Sequence, residues 1–101
     1  MIKHIVLFKL ADSAEGNTKI ENAKILKMRL EELNEIIPEI VKIEVRINHP
    51  DASADNYDII LDSEFETFED LNTYIQHPAH LRVGEFIVKV RTARAAIDYE
   101  I

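Results

Sequence analysis

The chain reads as an α+β domain with the order β-α-β-β-α-β. This is a ferredoxin-like plan in which helices lie on one face of a four-stranded antiparallel sheet. Three observations predict it. Four segments have the two-residue period of strands, two intervals between them carry the three-to-four spacing of amphipathic helices, and 101 residues leave room for a single domain spanning 1–101.

The first segment, Ile2 to Leu10, is rich in β-branched and large apolar residues and short for a helix. Ile2, His4, Val6, Phe8 and Leu10 point one way, and Lys3, Ile5, Leu7 and Lys9 the other. Residues 11–17 form a polar connection around Gly16. Thr18 followed by Glu21 has the spacing of a capping box. Ile20, Ala23, Lys27, Leu30, Leu33 and Ile37, with Leu26 beside them, then predict a helix of about five turns that Pro38 ends.

Val41, Ile43, Val45 and Ile47 alternate with Lys42, Glu44, Arg46 and Asn48 in the cleanest strand of the sequence. A turn-rich loop over 49–56 leads to a third strand from Tyr57 to about Phe65. Thr67 and Asp70 repeat the capping spacing ahead of a short stripe, Phe68, Leu71, Tyr74 and Ile75. Pro78 breaks or restarts this helix, and a second helical piece is expected over roughly 79–91. Ala95, Ile97, Tyr99 and Ile101 alternate with polar or small residues in a terminal strand.

Helices cover one face of such a sheet, yet both faces of the first strand carry large apolar residues. Ile5 and Leu7, or Val6 and Phe8, must face away from the helices. A second copy packed there would bury them at about 1.5–3 kcal/mol per side chain, before the entropy of association is subtracted. The sequence therefore predicts a homodimer joined through its sheets, forming a dimeric α/β barrel.

Composition sets further bounds. A net charge of −7 argues against nucleic acid and against anionic membranes as partners. The absence of cysteine excludes disulfides, thiolate nucleophiles and thiolate metal ligands. The N-terminal apolar run is too short for a signal peptide, and no stretch approaches the ~20 apolar residues of a membrane span. A cytoplasmic protein is expected. Two glycines give no phosphate-cradling loop, no HExxH string occurs, and neither a metal nor a cofactor is expected.

The string Tyr74-Ile75-Gln76-His77-Pro78-Ala79-His80 is the most distinctive in the chain. Imidazole titrates near neutrality and can serve as acid or base, and a phenol can donate a hydrogen bond to a carbonyl or a developing oxyanion. His77 reads as a cap at the Pro78 turn and His49 as an exposed loop residue. Spacing leaves His80 open between a structural and a catalytic role. His4 is similarly open between a core histidine and the polar wall of a pocket.

Taken together, Met1 to Lys9, Ile37-Pro38-Glu39-Ile40, Phe65 to Leu71, Tyr74 to His80 and Ile97-Asp98-Tyr99 resemble the stress-responsive dimeric α/β-barrel (Dabb) family over essentially the whole chain. The resemblance implies a ferredoxin-like homodimer closed through its sheets, and the function expected is binding of a small apolar or carbonyl-containing molecule between helices and sheet. One plant branch cyclises linear polyketides by a cofactor-free aldol condensation. Similarity to that branch implies that His80 is the base, Tyr74 the hydrogen-bond donor and His4 a third catalytic residue. Asp58 stands where the branch has another pocket histidine, so the same substrate is not implied. Some plant relatives bind Mg²⁺ near the region corresponding to Asn34 to Ile40, through backbone; no such site is predicted here. The alternative is a non-catalytic stress-protective or structural dimer.

Overall fold

A computed structural model describes residues 1–101. The elements run β1 (Ile2–Leu10), β2 (Ser13–Ala14), β3 (Asn17–Thr18), α1 (Lys19–Ile36), β4 (Lys42–Ile47), β5 (Ile59–Phe65), α2 (Phe68–Gln76), α3 (Pro78–Val90) and β6 (Arg91–Glu100). The main sheet has the order β4-β5-β1-β6, and every neighbouring pair is antiparallel. The expected ferredoxin-like architecture is present, with three helices because Pro78 starts a new one.

The helices pack on one side of this sheet. Leu26, Leu30 and Leu33 of α1, Leu71 and Tyr74 of α2, and Val83, Ile87 and Val90 of α3 are buried with Val6, Phe8, Leu61 and Phe65 of the sheet. Period two decides which strand residues take part. In β1 the residues from Ile2 to Leu10 with even numbers are buried, and those between them are only half-buried. No helix is long and apolar enough to cross a membrane.

Local signals set the boundaries. Thr18 and Glu21 form the expected capping box: the Thr18 hydroxyl accepts from the Glu21 amide at 3.3 Å, and the Glu21 carboxylate accepts from the Thr18 amide at 2.8 Å. The hydrogen bonds from Thr18 hold the Glu21 carboxyl below the usual carboxylate range. At the other end Ile37, preceding Pro38, turns extended and stops α1. Thr67 caps α2 by accepting from the Asp70 amide at 3.1 Å.

Three details depart from the sequence reading. The connection after β1 contains a tight hairpin, β2–β3, whose two central residues Glu15 and Gly16 both have positive φ, at 52° and 76°. This is the twist that two-residue hairpins require. Next, the buried stripe of α1 starts at Asn22, while Ile20 is 49% exposed. Asn22 is fully buried because it ties the hairpin to the helix, donating to the Ala14 carbonyl at 3.1 Å and accepting from Asn17 at 3.2 Å. Finally, α3 passes into β6 with no loop, so the last strand begins at Arg91 rather than near Ala95.

Lys27, which falls within the helical stripe, serves the sheet edge. Its ammonium donates to the Val45 carbonyl at 2.5 Å and to Glu31 at 2.9 Å, while Glu31 accepts from the Val45 amide at 3.1 Å. An i,i+4 ion pair of α1 thereby satisfies backbone groups of edge strand β4 that would otherwise invite another chain.

Candidate functional site

A cavity of about 200 Å³ lies between the helices and the β1–β6 side of the sheet. Its floor comes from His4, Val6 and Phe8 of β1 and Leu61 of β5. Leu30, Ile75, His80, Gly84, Ile87 and Val88 supply the helical wall, and Arg91 and Arg94 of β6 complete it. The cavity exists partly because Gly84 has no side chain: a Cβ built there would meet no atom within 4 Å. The helix-side residues Arg94, Ala96 and Asp98 of β6 are exposed.

His80 is positioned by the helix break. His77 caps α3 by accepting the Ala79 amide on Nδ1 at 3.0 Å, with Pro78 as the first helical residue. It thus satisfies an amide at the start of α3 rather than exposed carbonyls at the end of α2. His80 lies one turn further along α3. Its Nδ1 is 3.0 Å from the Ile75 carbonyl. A carbonyl only accepts, so Nδ1 carries the proton and Nε2 of the neutral ring is left as the acceptor. Burial pulls the His80 pKa below its ordinary value; the bond to Ile75 opposes this, and the Arg94 guanidinium is among the charges that reinforce it.

Tyr74 packs behind His80, with ring centroids 4.5 Å apart, and against Phe65 at 5.0 Å. It is fully buried, its hydroxyl has no hydrogen-bond partner, and it is not among the residues that line the cavity. Burial pushes its phenol pKa up. The His4 ring stands 6.4 Å from that of Tyr74. His4 Nδ1 lies 2.5 Å from an Asp98 carboxylate oxygen on the neighbouring strand. The carboxylate fixes Nδ1 as a donor, as Ile75 does for His80.

The three residues singled out in the sequence therefore converge on one side of the sheet. His4 and His80 line the cavity, and Tyr74 joins them through ring contacts. His49 and Asp58 lie outside it. His49 Nδ1 accepts from the Asp51 amide at 3.0 Å. Asp58 extends the β1–β5 pairing, accepting from the Leu10 amide at 2.7 Å and donating its own amide to Phe8. No group of three or more His, Asp or Glu side chains is arranged to hold a metal ion.

The sequence reading missed Asp98, Gly84, Arg91 and Arg94. Asp98 faces His4 through the register of β1 with β6, and period two on the last strand is the signal that would have placed it. Arg91 and Arg94 are three apart, which on a regular strand puts them on opposite faces. The pairing slips between Lys9 and Leu10, setting Arg94 opposite Phe8 and Arg91 opposite Leu10. Phe8 and Leu10 share the helix-facing side of β1, so this bulge brings both arginines to that side.

Fold and site together define a ferredoxin-like domain with a half-open, mostly apolar cavity on its helical side. The chain belongs to the stress-responsive A/B barrel domain (Dabb) family, whose model matches residues 2–101. It is 35% identical over 98% of its length to a stress-response A/B barrel domain-containing protein of Arabidopsis thaliana. It spans 36% of that protein's length, about a third. Among solved structures it is similar to a dimeric protein of unknown function and ferredoxin-like fold from Bacteroides fragilis, with 34% identity, a TM-score of 0.78, and coverage of 99% of this chain and 95% of that one. A dimeric ferredoxin-like protein of unknown function from Thermobifida fusca superposes with a TM-score of 0.83 at 23% identity, covering 99% and 90% of the two chains. The hydroxynitrile lyase of Passiflora edulis shares the fold at 16% identity, with a TM-score of 0.77 and coverage of 99% and 92%.

Proposed function

We propose that this domain is a homodimer that binds a small apolar, carbonyl-containing molecule in the helix-side cavity, with His80 acting there as a cofactor-free general base. The observation that carries the reading is the state of His80. It lies on the wall of a mostly apolar cavity, its Nδ1 proton is held by Ile75, and its Nε2 is free to accept a proton. Burial lowers its proton affinity, which keeps the ring neutral and ready at physiological pH.

In this reading Nε2 removes a proton from the carbon next to the substrate carbonyl. Negative charge then moves to the carbonyl oxygen as an enolate. Tyr74 is the donor for that oxygen: its unpartnered hydroxyl costs about 1–3 kcal/mol, which a ligand oxygen reaching it would recover. His4, oriented by Asp98, supplies the second imidazole and returns or relays the proton. The fold is shared with a hydroxynitrile lyase, whose name describes a small-molecule reaction. That likeness supports the class of activity and not its substrate.

The dimer rests on the uncovered face of the sheet. Ile5 sits opposite Ile97, and Leu7 lies between Ala95 and Ile60. Ile97 is 61% exposed and Tyr99 44%. A second sheet laid on these residues would remove them from water. The neighbours from Bacteroides fragilis and Thermobifida fusca are described as dimeric.

The test is α-proton exchange in deuterated water with a panel of aryl alkyl ketones, followed by NMR. The expected result is exchange above background that falls roughly 10²-fold or more in His80→Ala, with the dimer and unfolding midpoint kept. Full exchange in that variant would remove His80 as the base. A second reading, binding without turnover, is favoured by the position of Tyr74 outside the cavity lining. It predicts ligand binding with exchange no faster than buffer.

A further inference from the structure

The geometry points to Arg91 and Arg94 as a carboxylate seat at the cavity, selecting a small molecule with an apolar body and one carboxylate. This deepens the proposed function and rests on the cavity being a binding site.

Two observations support it. The first is the bulge at the start of β6. Regular pairing would turn Arg91 away from Arg94, and the extra residue turns both guanidinium groups toward the cavity side. Bulges that re-aim a side chain recur beside functional sites. The second is charge. In a chain of net charge −7, basic side chains have many carboxylates to pair with. Lys3, Lys19, Lys27, Lys42 and Arg46 do so. Arg91 and Arg94 are among the basic side chains that do not, and they are the two of those that line the cavity. No carboxylate lines the cavity; Asp98, on the same face of β6, is engaged by His4 Nδ1 at 2.5 Å. Two unpaired guanidinium groups beside an apolar pocket match an amphiphilic anion, because each can hold a carboxylate through two parallel hydrogen bonds.

The class can be narrowed. A cavity of about 200 Å³ suits one aromatic ring or a short alkyl chain, since a pocket of ~150 Å³ accommodates benzene. A phosphate dianion fits poorly. Arg91 is the C-cap of α3, where the negative end of the helix dipole opposes a dianion more strongly than the single charge of a carboxylate. His80 stands on the same wall, so a keto acid would present its carbonyl-adjacent carbon to the base while its carboxylate rests on the arginines.

The experiment is an NMR titration of the full chain with phenylacetate and with its neutral isostere 2-phenylacetamide, at constant ionic strength. The inference expects the acid to bind at least about tenfold more tightly than the amide. Arg94→Gln and Arg91→Gln should each weaken the acid severalfold and leave the amide unchanged. Equal affinities, or acid binding unaltered in both variants, would overturn the carboxylate seat while leaving the cavity reading intact, provided His80 and Ile87 resonances still shift. Absence of any shift at those residues with either probe would overturn both. Inorganic phosphate displacing phenylacetate at equal concentration would overturn the carboxylate assignment in favour of a phosphoryl group.

Discussion

Proton affinity at His80 and the hydroxyl of Tyr74 give the sharpest residue-scale expectations. His80 in the folded chain binds its proton less readily than free histidine, whose pKa is near 6.5, because the ring is partly withdrawn from water. As pH falls through 6.5 the unfolded chain is protonated first. The stability contribution of this site is therefore complete above pH 6.5 and declines as pH falls toward the folded value. Denaturation midpoints followed across that range should fall more steeply on the acid side for wild type than for His80→Gln. The ring's own NMR titration should centre below 6.5. Tyr74→Phe removes a hydroxyl that is buried without a partner and keeps the ring packed on Phe65 and His80. Its unfolding free energy should stay level or rise by about 1 kcal/mol. If Tyr74 donates to an enolate, the same variant should lose ketone exchange about 10²-fold. Gain in stability with loss of rate would separate a functional hydroxyl from a structural one.

Among the elements, α3 and the hairpin beside α1 show how local rules were bent. Gly84 lies within a thirteen-residue helix and opens onto the cavity. Gly84→Ala should stabilise the fold by about 0.8–1 kcal/mol, measured by chemical denaturation, because alanine restricts the unfolded backbone and meets nothing in the folded state. Gly84→Leu should keep the fold and exclude ligand. At the hairpin, Asn22→Ala should cost about 1–3 kcal/mol by leaving the buried Ala14 carbonyl unmet. The strong elements were readable in sequence for good reasons. Nine residues of alternation in β1, and Thr18 with Glu21 ahead of α1, are dense local signals. The β2–β3 hairpin was not readable, because two-residue strands carry no period and Glu15 is an unusual choice for a left-handed turn position. The start of β6 was hidden by the direct helix-to-strand passage and by the bulge, both of which depend on register with β1. The candidate site was half legible: its histidines and tyrosine stand out in sequence, but its arginines and its glycine acquire meaning only once the strands and helices meet.

The molecule as a whole presents two faces with different tasks. Towards the helices lie the core and the cavity. On the far side, apolar Ile5, Leu7, Ile60 and Ile97 adjoin a polar area in which Lys3 bridges Asp62 at 2.7 Å and Glu64 at 3.3 Å. A charge placed in the apolar part should separate the copies, since each would carry it into a shared and largely dry contact. Ile97→Lys is expected to shift sedimentation from dimer to monomer at micromolar concentration. A wild-type chain that sediments as a stable monomer there would remove the dimer. Lys27 and Glu31, by contrast, close the β4 edge at Val45, so Glu31→Ala should promote association through that edge, visible as larger species in the same experiment.

Strand β6 belongs to both faces at once. Arg94 and Asp98 lie on its helix-side face, and Ala95, Ile97 and Tyr99, interleaved with them, lie on the uncovered face where the proposed second copy would pack. A rigid ribbon with two audiences cannot answer one without the other hearing. Filling the cavity and joining the copies should therefore carry a shared free energy, felt equally in both directions. Diluting the protein below its self-association range would then weaken phenylacetate binding, and saturating phenylacetate would tighten the dimer by the same factor.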